Sequence, residues 1–401
     1  MITTEQLGQA LENANALLEE TASLWEPAPF KQPVLPWEAD HPELAAGLRA
    51  IDEHTLDEVE RSPAHARRLL ARWLPRFADR AARLEPGQLR GVGHADVNPA
   101  LAEGMPARKW EQIQAFASCA PGQPYPILEW CSGKGHLTRL LSELRAQPGH
   151  CIELDERLAH AGRQIAEERD LPVAFSVLDA LGDEAASAVK RDQLACALHA
   201  CGALHLRLIR EAAAQQTRAL AVSPCCYHLV AEETYQPQSE MLQSLTRLAL
   251  TREQLRLSLQ ETVTAAPAVR RRRERLAAWR LGFDLLQRQL RGVNEYLPVP
   301  SAKPAMAAGT FEDFARWAAR KKQIDLPARV DWDQYEYAGD QRFSETRRLS
   351  VVRHLFRRPI EVWLVLDRAQ FLVESGYTVE VGTFCERRIT PRNLMIRAWR
   401  A

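Results

Sequence analysis

The sequence has no apolar run approaching the ~20 residues that a membrane-spanning helix needs, which excludes a helical integral membrane protein. It has no CxxC pair among its eight cysteines and none of the regular spacing of a disulfide framework, so reduced thiols are expected. Its first twenty residues, MITTEQLGQALENANALLEE, lack the basic segment and apolar stretch of a signal peptide. It has no internal repeats and no net charge, with 52 basic and 52 acidic side chains. These absences together lead us to expect a soluble, intracellular, cytoplasmic protein that does not associate with membranes. They leave total charge silent about partners.

What is present is a chain of 401 residues, 46% of them hydrophobic. That is enough for a sizeable core and for one large domain with an appendage, or for two or three domains. The charge is unevenly spread. Residues 1–60 hold 13 acids and 2 bases, whereas residues 247–291 hold 11 arginines and 4 acids. Such asymmetry marks either a polyanion-binding face or a solvated helical surface.

Residues 1–104 read as a helical region. Leu7, Leu11, Ala14 and Leu18 recur at helical spacing, as do Leu69, Leu70, Trp73 and Phe77, with the Pro-rich EPAPFKQPVLPWEADHP between them. A further helix is predicted over 107–117. The texture then changes. The short apolar runs ILEW (127–130), HCIEL (150–154), VAFSVL (173–178), LACALHA (194–200) and ALAVSPC (219–225) alternate with helical stretches of about ten residues. That alternation indicates a parallel sheet with crossover helices. TVEVGTFCER (378–387) and NLMIRAW (393–399) read as a closing antiparallel pair around Thr390-Pro391. A long, mostly helical insertion, about 227–370, precedes that pair.

Chemistry concentrates in Glu129-Trp-Cys-Ser-Gly-Lys-Gly-His-Leu137, which follows a predicted strand and opens a predicted helix. Gly133 and Gly135 allow a sharp turn and close approach of backbone to ligand. Thr138 stands where a dinucleotide fingerprint has its third glycine, which argues against nicotinamide or flavin. E-x-x-x-G-x-G is the form found in methyltransferases. Two further acids stand in register with it. Glu153 ends the second run about 18 residues after the loop, where a carboxylate accepts ribose hydroxyls. Asp155, two residues on, is the second choice for that role. Asp179 ends the third run, where methyltransferases hold the adenine amine. Five parallel strands plus a terminal hairpin give the expected fold: an α/β, Rossmann-like class I methyltransferase sheet occupying residues 105–401, interrupted by the helical insertion. Glu129, Cys131, Gly133, Gly135, His136, Glu153, Asp155 and Asp179 are the candidate cofactor residues and S-adenosylmethionine the expected cofactor.

The fourth and fifth runs end in LHACG (198–202) and SPCCYH (223–228). Strand C-terminal ends line the ligand crevice of such a sheet, so His199, Cys201, Cys225, Cys226, Tyr227 and His228 should gather near the transferring methyl group. Three readings remain open. The thiols and imidazoles could bind a metal, although the spacing is not that of a zinc finger and no metal is assigned. A cysteine could attack a pyrimidine carbon. Otherwise these residues shape the pocket while a histidine or tyrosine orients the substrate. His199, His228, Tyr227 and Cys225 are the catalytic candidates, the histidines as bases near neutral pH.

GMPARKWEQI (104–113), EWCSGKGHL (129–137), LHACG, SPCCYH, PIEVWLVLDRAQFL (359–372) and ITPRNLMIRA (389–398) together resemble one methyltransferase family. It includes the glutathione S-transferase C-terminal-domain-containing protein and the ribosomal-RNA-adenine-dimethylase-domain-containing proteins. The chain is more distantly similar to tRNA 2′-O-methyltransferases carrying an H-x-C-G segment. The resemblance implies that Gly133, Gly135, Glu153 and Asp179 bind S-adenosylmethionine, with Lys109 packed near it. His-Ala-Cys-Gly stands where amino-group adenine methyltransferases have Asp/Asn-Pro-Pro-aromatic, so N6-adenine chemistry does not carry over. Arg270, Arg271, Arg272, Arg273 and Arg275, in the insertion, make RNA the expected partner. A protein substrate is the alternative, and a cofactor-binding scaffold without catalysis the third reading. Trp279 and Phe283 lie on the same helix, where four-residue spacing favours core packing over base stacking.

Overall fold

The computed structural model describes residues 1–92, 97–259 and 267–400. Its contacts divide the chain into two compact units. One comprises residues 1–19, 83–261 and 357–401, and the other residues 20–82 and 262–356. The sequence boundary at 104/105 therefore coincides with no boundary between units. The helical insertion also divides, its two ends belonging with the sheet and its middle with the N-terminal helices.

The first unit is built on one sheet of eight strands: β1 (Ile2–Thr3), β2 (Ile127–Trp130), β3 (Gly149–Glu153), β4 (Val173–Val177), β5 (Leu194–Cys201), β6 (Ala219–Cys225), β7 (Thr378–Thr383) and β8 (Leu394–Trp399). The spatial order is β1-β7-β8-β6-β5-β2-β3-β4. Strands β2 to β6 run parallel, and β8 pairs antiparallel with both β6 and β7. All residues of β2 and β6 are buried, as expected of parallel strands covered on both faces, which read as continuous apolar runs rather than alternating ones. Helices His136–Arg145, Glu156–Glu167 and Ala203–Ala214 supply the crossovers. Strand β1 was not legible in the sequence. Two residues are too few to show a period, and it exists because Ile2 and Thr3 pair with Val381 and Glu380 at the edge.

The core beside the loop after β2 joins Ile113 and Phe116 of the helix Ala107–Cys119 to Leu137, Leu140 and Leu141, and to Ile127, Leu194, Ala219 and Met395 of the sheet. The helix Arg357–Glu374 carries a buried polar cluster. Asp367 accepts from the backbone N–H of Gln238 (2.7 Å) and of Ser239 (2.9 Å), and from the Tyr235 hydroxyl. Arg368 Nε donates to His205 Nε2 (2.9 Å), and His205 Nδ1 donates to the Ala200 carbonyl (2.9 Å). Buried charges persist only when paired in this way. The chain of bonds fixes both the segment after β6 and the end of β5.

In the second unit the helices Pro267–Arg291 and Trp332–Leu355 pack together, with Trp279 and Phe283 in the core beside Phe311 and Phe314. The two aromatics are thus core residues, as their spacing indicated. Arg347 bonds to Glu53 (2.8 Å), Asp57 (2.9 Å) and Glu60 (2.8 Å), and Arg270 bonds to Asp57, Glu60 and Glu274. Among the described residues, no helix is long and apolar enough to cross a membrane.

Candidate methyl-transfer site

β2 has β3 on one side and β5 on the other. The chain therefore leaves it at the topological switch point, where an open α/β sheet has its ligand crevice. The loop that follows is tightly wound. Cys131 (φ 57°), Gly133 (φ 57°) and Gly135 (φ 66°) all lie in the left-handed region. At Gly135 a Cβ would strike Phe175 and Cys151, so the residue is needed for packing. At Gly133 a Cβ would meet nothing within 4 Å, so the space beside that backbone is open. The Ser132 hydroxyl oxygen is buried without a partner among the described residues.

Four carboxylates hold or flank this loop. Glu129 is buried and accepts from the N–H (2.9 Å) and hydroxyl (2.5 Å) of Thr138, tying the strand to the helix across the loop. Burial pushes its carboxyl up to about 7. Glu153 ends β3 half-buried, and its two oxygens accept from the backbone N–H of Gly133 (2.7 Å) and of Asp155 (2.9 Å). Each carboxylate oxygen has a second lone pair, so Glu153 keeps acceptor capacity toward the open side. Asp155, the second choice for the ribose role, lies beyond the strand. It is the N-cap of Glu156–Glu167, where one oxygen accepts from Arg157 N (2.9 Å) and Leu158 N (3.3 Å). Asp179 is exposed just beyond β4 and accepts from Leu181 N (2.9 Å).

Cys131 and His136 are half-buried. The Cys131 thiol is pushed up to about 12, by burial first and then by the charges of Glu153, Cys201 and Glu129. His136 is held down to about 3 by burial and by Arg139, whose guanidinium donates to His136 Nδ1 (2.7 Å). His136 is therefore neutral and occupied within the loop.

β5 and β6 end beside each other, with Cys201 paired to Cys225 across a bulge that begins at Leu198. The bulge turns His199 to φ 65°, and the next turn puts Cys226 at φ 48°. Left-handed backbone at non-glycine residues is costly and clusters at functional sites. Here Cys131, His199 and Cys226, three of the seven such residues among the described residues, lie at the ends of β2, β5 and β6. A pocket of about 640 Å³ opens there, lined among others by Arg108, Lys109, Gln112, His199, Cys225 and Arg392.

Of the catalytic candidates, His199 and Cys225 line this pocket and Tyr227 and His228 do not. Tyr227 is fully buried; its hydroxyl donates to the Pro224 carbonyl (3.2 Å) and its ring lies under Arg368. It is a packing residue, because the chain turns inward after Cys226. His228 is half-buried, with Nδ1 lacking a partner among the described residues, and burial and Arg256 lower its pKa. His199 is held down to about 4, by burial and then by Arg392. The Gln112 amide N–H donates to His199 Nε2, which leaves the imidazole proton on Nδ1, a buried atom without a partner among the described residues. His199 is thereby arranged as a neutral hydrogen-bond donor. Gln112, Arg108 and Arg392 were not singled out in the sequence. Gln112 and Arg108 lie on the helix predicted over 107–117, of which only Lys109 was given a role, and Arg392 in a turn distant along the chain.

Residues 108–233 match the family model of a methyltransferase domain. This stretch, under a third of the chain, is similar to a methyltransferase domain. No match among curated proteins is found. Similar solved structures include a tRNA (uracil-54, C5)-methyltransferase of Pyrococcus abyssi, at 16% identity and TM-score 0.24 over 29% of this chain and 28% of that one. A putative RNA methyltransferase of Pyrococcus horikoshii is 13% identical, with TM-score 0.24, over 33% and 67% of the two chains. The magnesium protoporphyrin IX methyltransferase of Synechocystis is 13% identical, with TM-score 0.25, over 45% and 76%. The chain thus spans little more than a quarter of the length of the first of these. Likeness at this level carries no weight for the acceptor.

The matched stretch includes β2 through β6 and every strand end described above. S-adenosylmethionine is the cofactor expected of such a domain, and the site fits it. The backbone beside Gly133 is open, Ser132 offers an unpartnered hydroxyl, and Glu153 holds free lone pairs at the end of the neighbouring strand.

Proposed function

We propose that this chain transfers the methyl group of S-adenosylmethionine to RNA, with the acceptor nucleotide seated in the pocket at the ends of β5 and β6. The observation that carries this reading is the charge of that pocket. Arg108, Lys109 and Arg392 line it, and among the described residues no carboxylate does. A cationic mouth favours an anionic acceptor such as a phosphate backbone. The cofactor supplies an already activated methyl group, so the protein's task is alignment and desolvation. Glu153 holds the ribose, Gly133 admits the cofactor to the backbone, and Asp179 takes the adenine. His199, through Nδ1–H, and Gln112 behind it orient the acceptor. The family resemblance to ribosomal-RNA-adenine-dimethylase-domain-containing proteins agrees with an RNA acceptor, and the His-Ala-Cys-Gly strand end argues for a modified atom other than the adenine amine. The exposed Arg271, Arg272 and Arg273 are a further cationic stretch of the kind that a phosphate backbone favours.

The test is transfer of labelled methyl from the cofactor to cell extract, followed by nuclease or protease digestion. Label released by nuclease supports RNA. Label released only by protease makes the acceptor a protein, and no label on either leaves a cofactor-binding scaffold.

A further inference from the structure

The pocket wall holds a group of side chains for which this reading has no use. Cys201, Cys225 and Cys226 present three sulfur atoms that all lie within 4.8 Å of one another. The Cys201 and Cys225 sulfurs are 3.5 Å apart. They come from two neighbouring strand ends and are brought together by the bulge at Leu198 and the left-handed turn at Cys226. In sequence this group has no metal signature, because the spacing from 201 to 225 is that of a parallel-strand crossover. In the fold it is compact, and the same three residues line the 640 Å³ pocket.

We infer that Cys201, Cys225 and Cys226 form a three-thiolate zinc site whose fourth coordination position opens into the pocket. A tetrahedral zinc with Zn–S bonds of about 2.3 Å sets its sulfurs roughly 3.8 Å apart. The observed group, spanning 3.5 to at most 4.8 Å, needs only a small contraction around such an ion. Soft thiolates select zinc over the hard divalent ions. Three thiolates and one zinc ion carry a net negative charge, and Arg392 and Lys109 line the same pocket to offset it.

The scaffold is suited to a fixed ligand set. Cys225 is 2% exposed, and the end of β5 is anchored through His205 and Arg368. Gly202, which follows Cys201, could carry no side chain, since a Cβ would lie 2.0 Å from the Leu229 carbonyl oxygen. The sulfurs thus sit between rigid elements. Sites with three protein ligands and one open position are the arrangement zinc takes when it contacts substrate or water. The inference stands on this geometry and does not depend on the methyl donor or on the acceptor.

The test uses the full chain, purified with reductant and stripped of metal. Zinc should bind at one equivalent. Cobalt(II) in its place should give a sulfur-to-metal charge-transfer band with tetrahedral visible absorption. Cys201→Ser and Cys226→Ser should each weaken zinc binding by more than about 100-fold, while Cys385→Ser, a buried cysteine elsewhere, should leave it unchanged. Folding of each variant is followed by circular dichroism. In case the variants do not fold, alkylation of the wild-type protein with iodoacetamide is mapped by mass spectrometry. Zinc should protect Cys201 and Cys226. The inference is overturned if the reduced protein binds no stoichiometric zinc, or if cobalt shows no charge-transfer band. Equal alkylation with and without zinc would also overturn it, as would equal loss of binding in Cys385→Ser. Isolation of a Cys201–Cys225 disulfide in zinc-refractory protein would make these sulfurs a redox pair instead.

Discussion

The arginine cluster of the helical unit and the strand ends of the sheet unit treat polar groups in opposite ways. In the helical unit, Arg270 and Arg347 share Asp57 and Glu60, and Arg270 also pairs with Glu274 and Arg347 with Glu53, so charge is neutralised where it stands. In the sheet unit, the strand ends leave Ser132, His199 and His228 with buried atoms that have no partner among the described residues, and set Cys131, His199 and Cys226 in left-handed backbone. An unpartnered buried polar atom costs about 1–3 kcal/mol, and strain adds to it. Stability alone would remove such features. Their gathering at the ends of β2, β5 and β6 is what separates a site from a scaffold in this molecule.

The largest expected effect exploits a matched pair of glycines. Gly133 and Gly292 both have positive φ, and in both a Cβ would meet nothing within 4 Å. Gly133→Val and Gly292→Val should therefore strain the backbone similarly. Only Gly133→Val should abolish binding of S-adenosylhomocysteine, measured by calorimetry. Equal loss in both variants would reduce the effect to stability. Next in size, Glu153→Ala removes charge-assisted bonds to a ribose diol of roughly 1.5–3 kcal/mol, and should weaken cofactor binding by about tenfold or more. Asp155→Ala should instead lose an N-cap, about 1 kcal/mol of stability, with little change in affinity. The opposite ranking would move the ribose role to Asp155.

Glu129 gives a pH signature. Its folded-state value of about 7 lies above its usual 4.5. Between those values the unfolded chain releases a proton that the folded chain keeps, so stability falls as pH rises through that window. Glu129→Gln should flatten this fall, by up to ~3 kcal/mol, in denaturant melts at pH 5 and 7.5. An unchanged slope would mean that Glu129 is ionised in the fold. The smallest effect belongs to the helical unit. Replacing Arg271, Arg272 and Arg273 by Gln should lower the salt dependence of RNA binding by about two log units per log unit of salt, with cofactor affinity unchanged. An unaltered slope would make the run a solvated helix face and weaken the case for RNA.

The sheet was legible because its signals are local. Apolar runs such as ILEW and ALAVSPC, and the glycines of the loop at 129–137, declare themselves within a few residues. The site was legible only where it follows strand ends. His199 and Cys225 came from reading the ends of β5 and β6. The same reading carried Tyr227 along, because sequence does not show that the chain turns inward after Cys226. Asp155 was set beside Glu153 by its place two residues on, whereas its side chain caps the next helix. Gln112 and Arg392 reach the pocket from a helix before β2 and a turn before β8, a juxtaposition set by tertiary packing alone. The arginine run looked like a free basic stretch, yet Arg270 is spent on acids more than 200 residues away in sequence. Division into units escaped the sequence for a related reason, since helices 20–82 complete a core with helices 267–356 across the whole sheet domain in sequence.

The central claim is that the crevice at the end of β2 is a cofactor site for S-adenosylmethionine. Titrating the wild-type chain with S-adenosylhomocysteine while following its melting temperature tests it most directly. Binding to the folded state alone stabilises by RT ln(1 + [L]/Kd), so the melting temperature should climb with ligand concentration and NAD should produce no rise. A flat response at millimolar S-adenosylhomocysteine alongside a rise with NAD would contradict the account.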